Sequence, residues 1–416
     1  MAKEIKLECG ATIVAERIEQ VRSVAFGIWV SSGSVFENDF NNGTSHFIEH
    51  MMFKGTEKRT ARQIAEEMDR IGASFNAFTG KEATCYYFRT ISSNLYTGAE
   101  ILFDMLTDSR FDTEEMDKER KVVLEEIKMV SDTPDDDVHD TISSIVNNNN
   151  PLCRNILGSP ESLERIDRDV MLEYFKSRYA RNGIVIAVAG NFDEDELVRF
   201  CEGRMDSLNE KLPENERIIK TYERQFSVKK RDIEQTHICL ATPTVSSNDD
   251  MYYTFALMNN ILGGSMSSRL FQNIREQKGL AYSVCSTSTC NSFSGYLNIY
   301  AGVAHDKIAE TIKEIRIELE KLAAHGVTED ELFMAKTQAE TAFIFSLENT
   351  ATLMFSLGRH KLLMNRIFSV DEAIEKYNRV SGEDILKAAE MISDFGNYSC
   401  AAVTGVEFDP EEYIRQ

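Results

Sequence analysis

Residues 45–56 read SHFIEHMMFKGT, a stretch that combines large apolar side chains with two histidines and a glutamate. The apolar side chains are spread around most of a helix circumference: Phe47, Ile48, Met51, Met52 and Phe53. A helix that is apolar on most of its faces lies inside a protein. Because buried ionisable groups are costly unless they are paired, the stretch predicts a buried helix in which His46, Glu49 and His50 have a partner.

The spacing of these three residues is typical of a zinc site. His46 and His50 are four residues apart and Glu49 is three residues from His46, so all three project from one helix face. Two imidazoles at this spacing can bind one zinc ion, and a nearby carboxylate can accept a proton from a metal-bound water. The alternative is a chance histidine pair on a solvated helix. That alternative would bury charged groups among Phe, Ile and Met without partners, so we favour the metal site.

A third ligand is expected on the helix predicted for residues 113–131, which carries two adjacent glutamates. Glu125 shares its helix face with three lysines, Lys118, Lys121 and Lys128, which is the pattern of a solvated face. Glu126 shares its face with Glu119, Val122 and Met129, beside an apolar stripe. We therefore expect Glu126 to point inward as a ligand. Glu119 is expected to orient a histidine or to add local negative charge, and the alternative is an ordinary surface acid.

The composition limits the classes of protein and partner. A chain of 416 residues is too long for one ordinary core and indicates two domains of roughly 200 residues. The formal net charge of −22 argues against nucleic acid and anionic membranes as partners. No run of about 18 apolar residues is present, so no membrane span is expected. The eight cysteines include no CxxC pair and the first residues resemble no secretory signal, so we expect a cytoplasmic location.

Apolar periodicity predicts an α+β fold with two similar halves. In the first half it predicts strands within 12–31, 74–91 and 183–190, and helices at 44–54, 60–71, 93–108, 113–131 and 167–178. In the second half it predicts strands at 236–243, 281–287 and 294–302, and helices at 250–262 and 306–324. Residues 327–345 also echo residues 111–129 at an offset of 216.

These repeats indicate an internal duplication. We expect an N-terminal zinc-binding domain at 1–210, a linker at 211–222 and a C-terminal domain without metal at 223–416. Each domain is expected to be a mixed, mostly antiparallel sheet packed with helices. An irregular segment with NNNNP at 147–151 follows the predicted helix at 113–131.

The motifs together carry a family resemblance. His46, Glu49 and His50 form an HxxEH motif, and Glu126 follows 76 residues after His50 (126 − 50 = 76). This arrangement resembles the inverzincin zinc metallopeptidases, a family that includes pitrilysin, insulysin and the β-subunit of the mitochondrial processing peptidase. Four stretches are similar to the processing-peptidase branch: FIEHMMFKGT at 47–56, FNAFT at 75–79, DTPDDDVHD at 132–140 and PLCRNILG at 151–158.

The resemblance implies a ligand set, a general base and a substrate strand. By this resemblance the ligands of one zinc ion per chain would be His46, His50 and Glu126, and the general base would be Glu49. A peptide would lie as an added strand along residues 74–79, which include Asn76, Ala77 and Phe78. Backbone pairing of this kind reads extended chains with little regard to their sequence.

The second half also resembles the family. Arg275 and Tyr282 match an Arg and a Tyr, seven apart, that approach the substrate carbonyl in these enzymes. Such donors suit the oxyanion of a tetrahedral intermediate, and the alternative is a helix-end arginine and a core tyrosine. Gly263 and Gly264 resemble the family's glycine-rich loop. The second half has no HxxEH motif, so we expect no metal there.

The resemblance implies a zinc endopeptidase that cleaves short or unfolded peptides in an enclosed chamber. In this family the chamber needs four domains, and this chain has two. We therefore expect a dimer, either of the chain with itself or with an inactive relative. The alternative is a non-catalytic scaffold or presenting subunit of a processing-peptidase-like heterodimer, similar to the respiratory-complex core proteins. Such relatives tend to lose metal ligands, whereas this chain keeps each ligand named above, which favours the enzyme.

Overall fold

Eleven β-strands form two sheets in the computed structural model, which describes residues 2–148, 150–213 and 221–414. Six lie in the first sheet: β1 (Lys3–Lys6), β2 (Thr12–Arg17), β3 (Ser23–Val30), β4 (Ser74–Thr79), β5 (Thr84–Ile91) and β6 (Ile184–Gly190). Five lie in the second sheet: β7 (Phe226–Lys230), β8 (Gln235–Thr244), β9 (Ala281–Cys290), β10 (Gly295–Ala304) and β11 (Ser399–Thr404).

Fifteen α-helices lie within the described residues. The first half of the chain contains α1 (Thr44–Met52), α2 (Ala61–Arg70), α3 (Leu95–Asp108), α4 (Thr113–Asp132), α5 (Pro134–Val146), α6 (Pro160–Arg165), α7 (Arg168–Arg178) and α8 (Glu194–Cys201). The second half contains α9 (Tyr252–Asn259), α10 (Ile308–His325), α11 (Glu329–Leu347), α12 (Thr350–Met364), α13 (Val370–Arg379), α14 (Gly382–Met391) and α15 (Pro410–Ile414). Two π-helical segments, Asn260–Gly264 and Phe271–Gln277, follow α9. No helix in the described part of the chain has the length and apolar character needed to cross a bilayer.

The two sheets repeat one topology. The first has the strand order β1-β2-β6-β3-β5-β4 and the second has the order β7-β11-β8-β10-β9. In each sheet one pair is parallel, β2 with β6 and β7 with β11, and the other pairs are antiparallel. Five strands therefore match one to one between the sheets, with β1 as an addition. The predicted α+β fold with two similar, mostly antiparallel sheets is confirmed.

The chain divides into two compact units, and each contains a helix from the other half of the sequence. The first unit is Met1–Lys128, Arg154–Ile218 and Phe345–Ser369, and the second is Met129–Cys153, Ile219–Ile344 and Val370–Gln416. The first includes α12 because this helix packs on β3 and β6, and the second includes α5 because this helix packs on β8 and β11. The predicted domain 1–210 includes α5 and the predicted domain 223–416 includes α12, so in the structure each of these helices belongs to the other unit. Residues 214–220 of the predicted linker lie outside the described residues.

The helix α5 occupies a segment for which apolar periodicity predicts no element. Its apolar stripe is narrow and consists of Val138, Ile142 and Val146, which pack in a cluster on the second sheet. The start of the helix carries stronger signals. Pro134 occupies the first turn together with three aspartates, and both features favour a helix N-terminus. These signals, rather than periodicity, are the ones that locate α5.

The core of the first unit holds α1 against the sheet. Four apolar residues of α1 are fully buried: Phe47, Ile48, Met51 and Met52. They belong to a cluster that includes residues of β3, β5 and β6. The helix also contacts β4, which lies at the edge of the sheet. The expected buried helix is confirmed. Because its apolar side chains are fixed in the core, the packing also fixes the direction in which its polar face points.

Candidate metal centre

Two helices of the first unit bring three potential metal ligands together. The rings of His46 and His50 lie one turn apart on α1, with centroids 4.6 Å from each other. From α4, Glu126 places its Oε2 atom 3.7 Å from His46 Nε2 and 3.5 Å from His50 Nε2. The three ligand atoms all lie within 4.8 Å of one another, and this is the one such cluster in the described part of the chain.

The chemistry of this donor set fits zinc. Two imidazole nitrogens and one carboxylate oxygen are a ligand set of catalytic zinc sites, which keep a further position open. A histidine binds metal in its neutral form. Burial, together with the nearby His50, lowers the pKa of His46 to about 4, so this ring is neutral at physiological pH. The three residues are therefore arranged as a zinc site requires, and His46 is in the neutral form that binds metal.

A buried carboxylate and a lysine support His50. Glu119 lies 7% exposed on α4, and its Oε2 atom is 3.1 Å from His50 Nδ1. Its other oxygen is 2.6 Å from Lys54 Nζ. A proton on Nδ1 that is donated to Glu119 leaves Nε2 unprotonated and facing Glu126. Glu119 is thus in contact with a histidine and is not an ordinary surface acid. The sequence pattern does not predict the contact of Lys54 with Glu119.

The structure separates the two adjacent glutamates of α4. Glu125 has a side chain that is 71% exposed, and it forms a 2.6 Å pair with Lys128, as the lysine-rich face predicts. Glu126 points to the histidines, as expected. One part of that expectation is wrong, because Val122 and Met129 on the same face are 44% and 65% exposed. This face of α4 borders the open cluster of ligands, and the core contacts of the helix come from the neighbouring stripe that contains Val123.

The glutamate of the HxxEH motif is tied to the edge strand. Glu49 Oε2 accepts a hydrogen bond from Thr79 Oγ1, at the last residue of β4. Burial raises the pKa of Glu49, although the Thr79 hydroxyl opposes this shift. The residues Asn76, Ala77 and Phe78 lie in β4, which pairs with β5 and leaves its other edge free of strand partners among the described residues. Glu49 therefore lies at the end of a strand that can accept an added strand.

In the predicted pair of the second half, Arg275 is half-buried, Tyr282 is exposed, and the two lie close together. Arg275 lies in the π-helical segment Phe271–Gln277, and its Cζ atom is 5.8 Å from the centroid of the Tyr282 ring at the start of β9. Tyr282 is 77% exposed, so it is not the core tyrosine of the alternative interpretation. Gly263 packs against β9, where an added Cβ would lie 2.5 Å from Ser286 N. A role for these residues in catalysis stays a prediction.

The comparisons with known proteins give the family. The family model "Insulinase (Peptidase family M16)" matches residues 12–160, and the model "Peptidase M16 inactive domain" matches residues 165–339. The Bacillus subtilis protein YmxG, an uncharacterized zinc protease, is 39% identical over 94% of this chain and 96% of its own length. This chain belongs to peptidase family M16. An uncharacterized zinc protease of Rickettsia felis is 37% identical over 96% of this chain and 96% of its own length.

A solved structure has the same fold. It is the peptidase M16 inactive domain from Pseudomonas fluorescens, with a TM-score of 0.90, 16% identity and coverage of 98% of both chains. At this identity the likeness shows the fold alone. The M16 assignment confirms the resemblance carried by the HxxEH motif and its flanks. M16 chains named zinc proteases and one named inactive share this architecture, so activity has to be argued from the side chains.

Proposed function

We propose that this M16 chain is a zinc-dependent endopeptidase that cleaves short or unfolded peptides. One zinc ion per chain would be held by His46, His50 and Glu126. The observation that carries the proposal is the cluster of their ligand atoms within 4.8 Å, beside the helix α1 that also presents Glu49. The names of the relatives, which are zinc proteases, support the choice of metal.

A zinc ion held by His46, His50 and Glu126 would supply Lewis acidity, which would polarise the substrate carbonyl and make a water more acidic. In this mechanism Glu49 is the general base. Thr79 holds one of its oxygens, and the other is available to take a proton from the attacking water and pass it to the leaving amine. The raised pKa of the buried Glu49 carboxyl makes it a better proton acceptor at neutral pH. The contact between Glu119 and His50 keeps the His50 ring in one orientation.

The edge strand β4 provides the peptide site in this proposal. An extended peptide would pair with the free edge of Asn76, Ala77 and Phe78 through backbone hydrogen bonds. Its scissile bond would then lie near Thr79, the last residue of β4, and near Glu49, which accepts a hydrogen bond from Thr79. Folded proteins rarely offer a free extended segment, so unfolded or short peptides are the substrate class.

The partner in the proposal is a second subunit. Arg275 and Tyr282 would stabilise the oxyanion from the partner of a homodimer, or of a heterodimer with an inactive M16 relative. A cytoplasmic location is part of the proposal, and the absence of a CxxC pair among the eight cysteines supports it.

Metal analysis of the purified protein, combined with cleavage of an unstructured peptide, tests the proposal. We expect about one zinc per chain, loss of cleavage with chelator and recovery when zinc is added back. A folded protein of similar amino-acid composition to the peptide serves as the control substrate and should resist cleavage. The alternative is a non-catalytic scaffold, supported by the fold shared with an M16 inactive domain. A chain that binds no zinc and cleaves no peptide would favour that alternative.

A further inference from the structure

The helix that presents His46 starts without a local cap. Its N-cap residue is Gly43, with φ 96°, and no side chain at this position accepts a hydrogen bond from the first turn. A Cβ at residue 43 would lie 2.8 Å from Leu157 O and 3.1 Å from Gly158 Cα. Both the backbone angle and the close approach require glycine. The usual capping residues are therefore excluded, and the free N–H groups of the first turn need another partner.

Glu37 supplies that partner from outside the helix. Its Oε1 atom accepts the Ser45 N–H at 2.7 Å, and its Oε2 atom accepts the Gly43 N–H at 2.8 Å. The Asn42 side-chain amide adds a third hydrogen bond at 2.8 Å. Glu37 is only 4% exposed. A buried carboxylate with charge-assisted bonds to two backbone amides fixes the position of that backbone firmly.

The two histidines of the site are supported differently. The ring of His50 is held through Nδ1 by Glu119. The Nδ1 atom of His46 is buried and has no hydrogen-bond partner in the part of the chain that the structure describes. The orientation of His46 therefore depends on packing and on its own backbone. That backbone follows directly from Ser45, whose N–H is bound by Glu37.

We propose that Glu37 is a positioning residue of the metal site, which fixes the first turn of α1 and thereby the place of the His46 ring. This inference rests on the proposed zinc function. Glu37 does for His46, through the backbone, what Glu119 does for His50 through the ring. It touches neither the metal nor the substrate in this role.

The test compares zinc affinity between Glu37→Gln and a matched control. Glutamine has the same shape as glutamate, but one of its two terminal groups is an NH2 that donates hydrogen bonds. Only one oxygen is then left to accept the hydrogen bonds that the two carboxylate oxygens of Glu37 accept. Loss of support for a metal-binding histidine typically weakens metal affinity about 10-fold to 100-fold, and we expect a loss in this range. The control is Asp104→Asn, because Asp104 is also 4% exposed and accepts hydrogen bonds from Thr56 and Arg59, at 2.7 Å each, away from α1. Asp104→Asn should leave zinc affinity within about twofold.

Two readouts are independent of catalysis. Competition with a coloured chelator gives the zinc affinity of each variant, and the visible spectrum of the Co²⁺-substituted protein reports the ligand geometry. We expect an altered cobalt spectrum for Glu37→Gln and an unaltered one for the control. Thermal unfolding of the metal-free variants measures how much stability each substitution removes.

Several results would overturn the inference. A zinc affinity of Glu37→Gln within about twofold of the parent would exclude a positioning role. The same conclusion would follow if Glu37→Gln and Asp104→Asn lost equal zinc affinity and equal stability. If Glu37→Gln does not fold, Glu37→Asp gives the same comparison, because its shorter side chain cannot reach both amides. Hydrogen exchange of the unaltered, metal-free protein adds a measurement without mutation, and rapid exchange at Gly43 and Ser45 would contradict the bonds. A parent without zinc affinity would overturn the proposed function as well, whereas the other results leave it intact.

Discussion

Replacement of one glutamate in an adjacent pair gives the sharpest test of the ligand set. Glu126→Gln should weaken zinc binding strongly, and Glu125→Gln should not. The oxygen of Glu126 lies 3.5 Å and 3.7 Å from the two histidine Nε2 atoms. Glu125, the next residue, is directed to solvent and pairs with Lys128. The two substitutions are chemically identical and lie in the same helix, so each controls for the other.

The expected magnitude follows from the number of ligands. Zinc binds four-ligand protein sites with about 10–16 kcal/mol, so one ligand contributes on the order of 3 kcal/mol. Loss of the Glu126 carboxylate should therefore weaken zinc affinity about 100-fold. The exposed Glu125 pair contributes about 0–1 kcal/mol to stability and nothing to the metal. Its loss should leave zinc affinity unchanged within about twofold.

Competition with a coloured chelator measures the zinc affinity of each variant under the same conditions. Unfolding curves of the metal-free variants should coincide, because neither substitution enters the core. Zinc affinities that agree within about threefold between the two variants would refute the assignment of Glu126 as a ligand. Weakening by Glu125→Gln alone would show that the orientation of α4 is wrong.

Further predictions concern the base, the shared site, the second sheet and the metal. Glu49→Gln should keep zinc and reduce peptide cleavage below about a tenth of the parent, since an amide cannot accept the proton. Arg275→Ala combined with Tyr282→Phe should inactivate a homodimer, and mixing with Glu49→Gln under subunit exchange should restore about a quarter of the activity. No recovery, with exchange shown by a label, would mean that the pair does not act across subunits. Burial lowers the pKa of His139 in the folded protein, so the stability that the neutral ring contributes is present above the ordinary pKa of 6.5 and is lost as the pH falls. His139→Gln should reduce this loss of stability in unfolding curves measured at acid pH. Removal of zinc should abolish cleavage and leave the far-UV circular dichroism unchanged.

The cluster of His46, His50 and Glu126 could be predicted from the sequence because these residues follow local rules. His46, Glu49 and His50 lie on one helix, where a spacing of three or four residues fixes a common face. The choice of Glu126 also came from helix periodicity. The exposure of Val122 and Met129 could not be predicted in this way, because periodicity shows which residues share a face and not what the face meets.

Contacts between distant segments are the part that the sequence did not reveal. Glu37 reaches the start of α1 through an irregular segment with no motif of its own, and Lys54 reaches Glu119 across 65 residues (119 − 54 = 65). The packing of α12 on β3 and of α5 on β8 joins segments that no spacing rule connects. The packing of α12 and α5 depends on which sheet face each helix covers, and this is decided by the tertiary fold.

The duplication also bears on why the metal ligands are present. At the offset of 216, the positions of Glu119 and Glu126 fall on Ala335 and Ala342 in α11. The second unit nevertheless builds five strands in the same order and directions as the first. The fold therefore forms around alanine at these positions as well as around glutamate. A buried carboxylate is costly unless it is paired, and the partners of Glu119 are His50 and Lys54. The presence of Glu119 in only one copy fits the proposed role at His46 and His50 rather than a requirement of the fold.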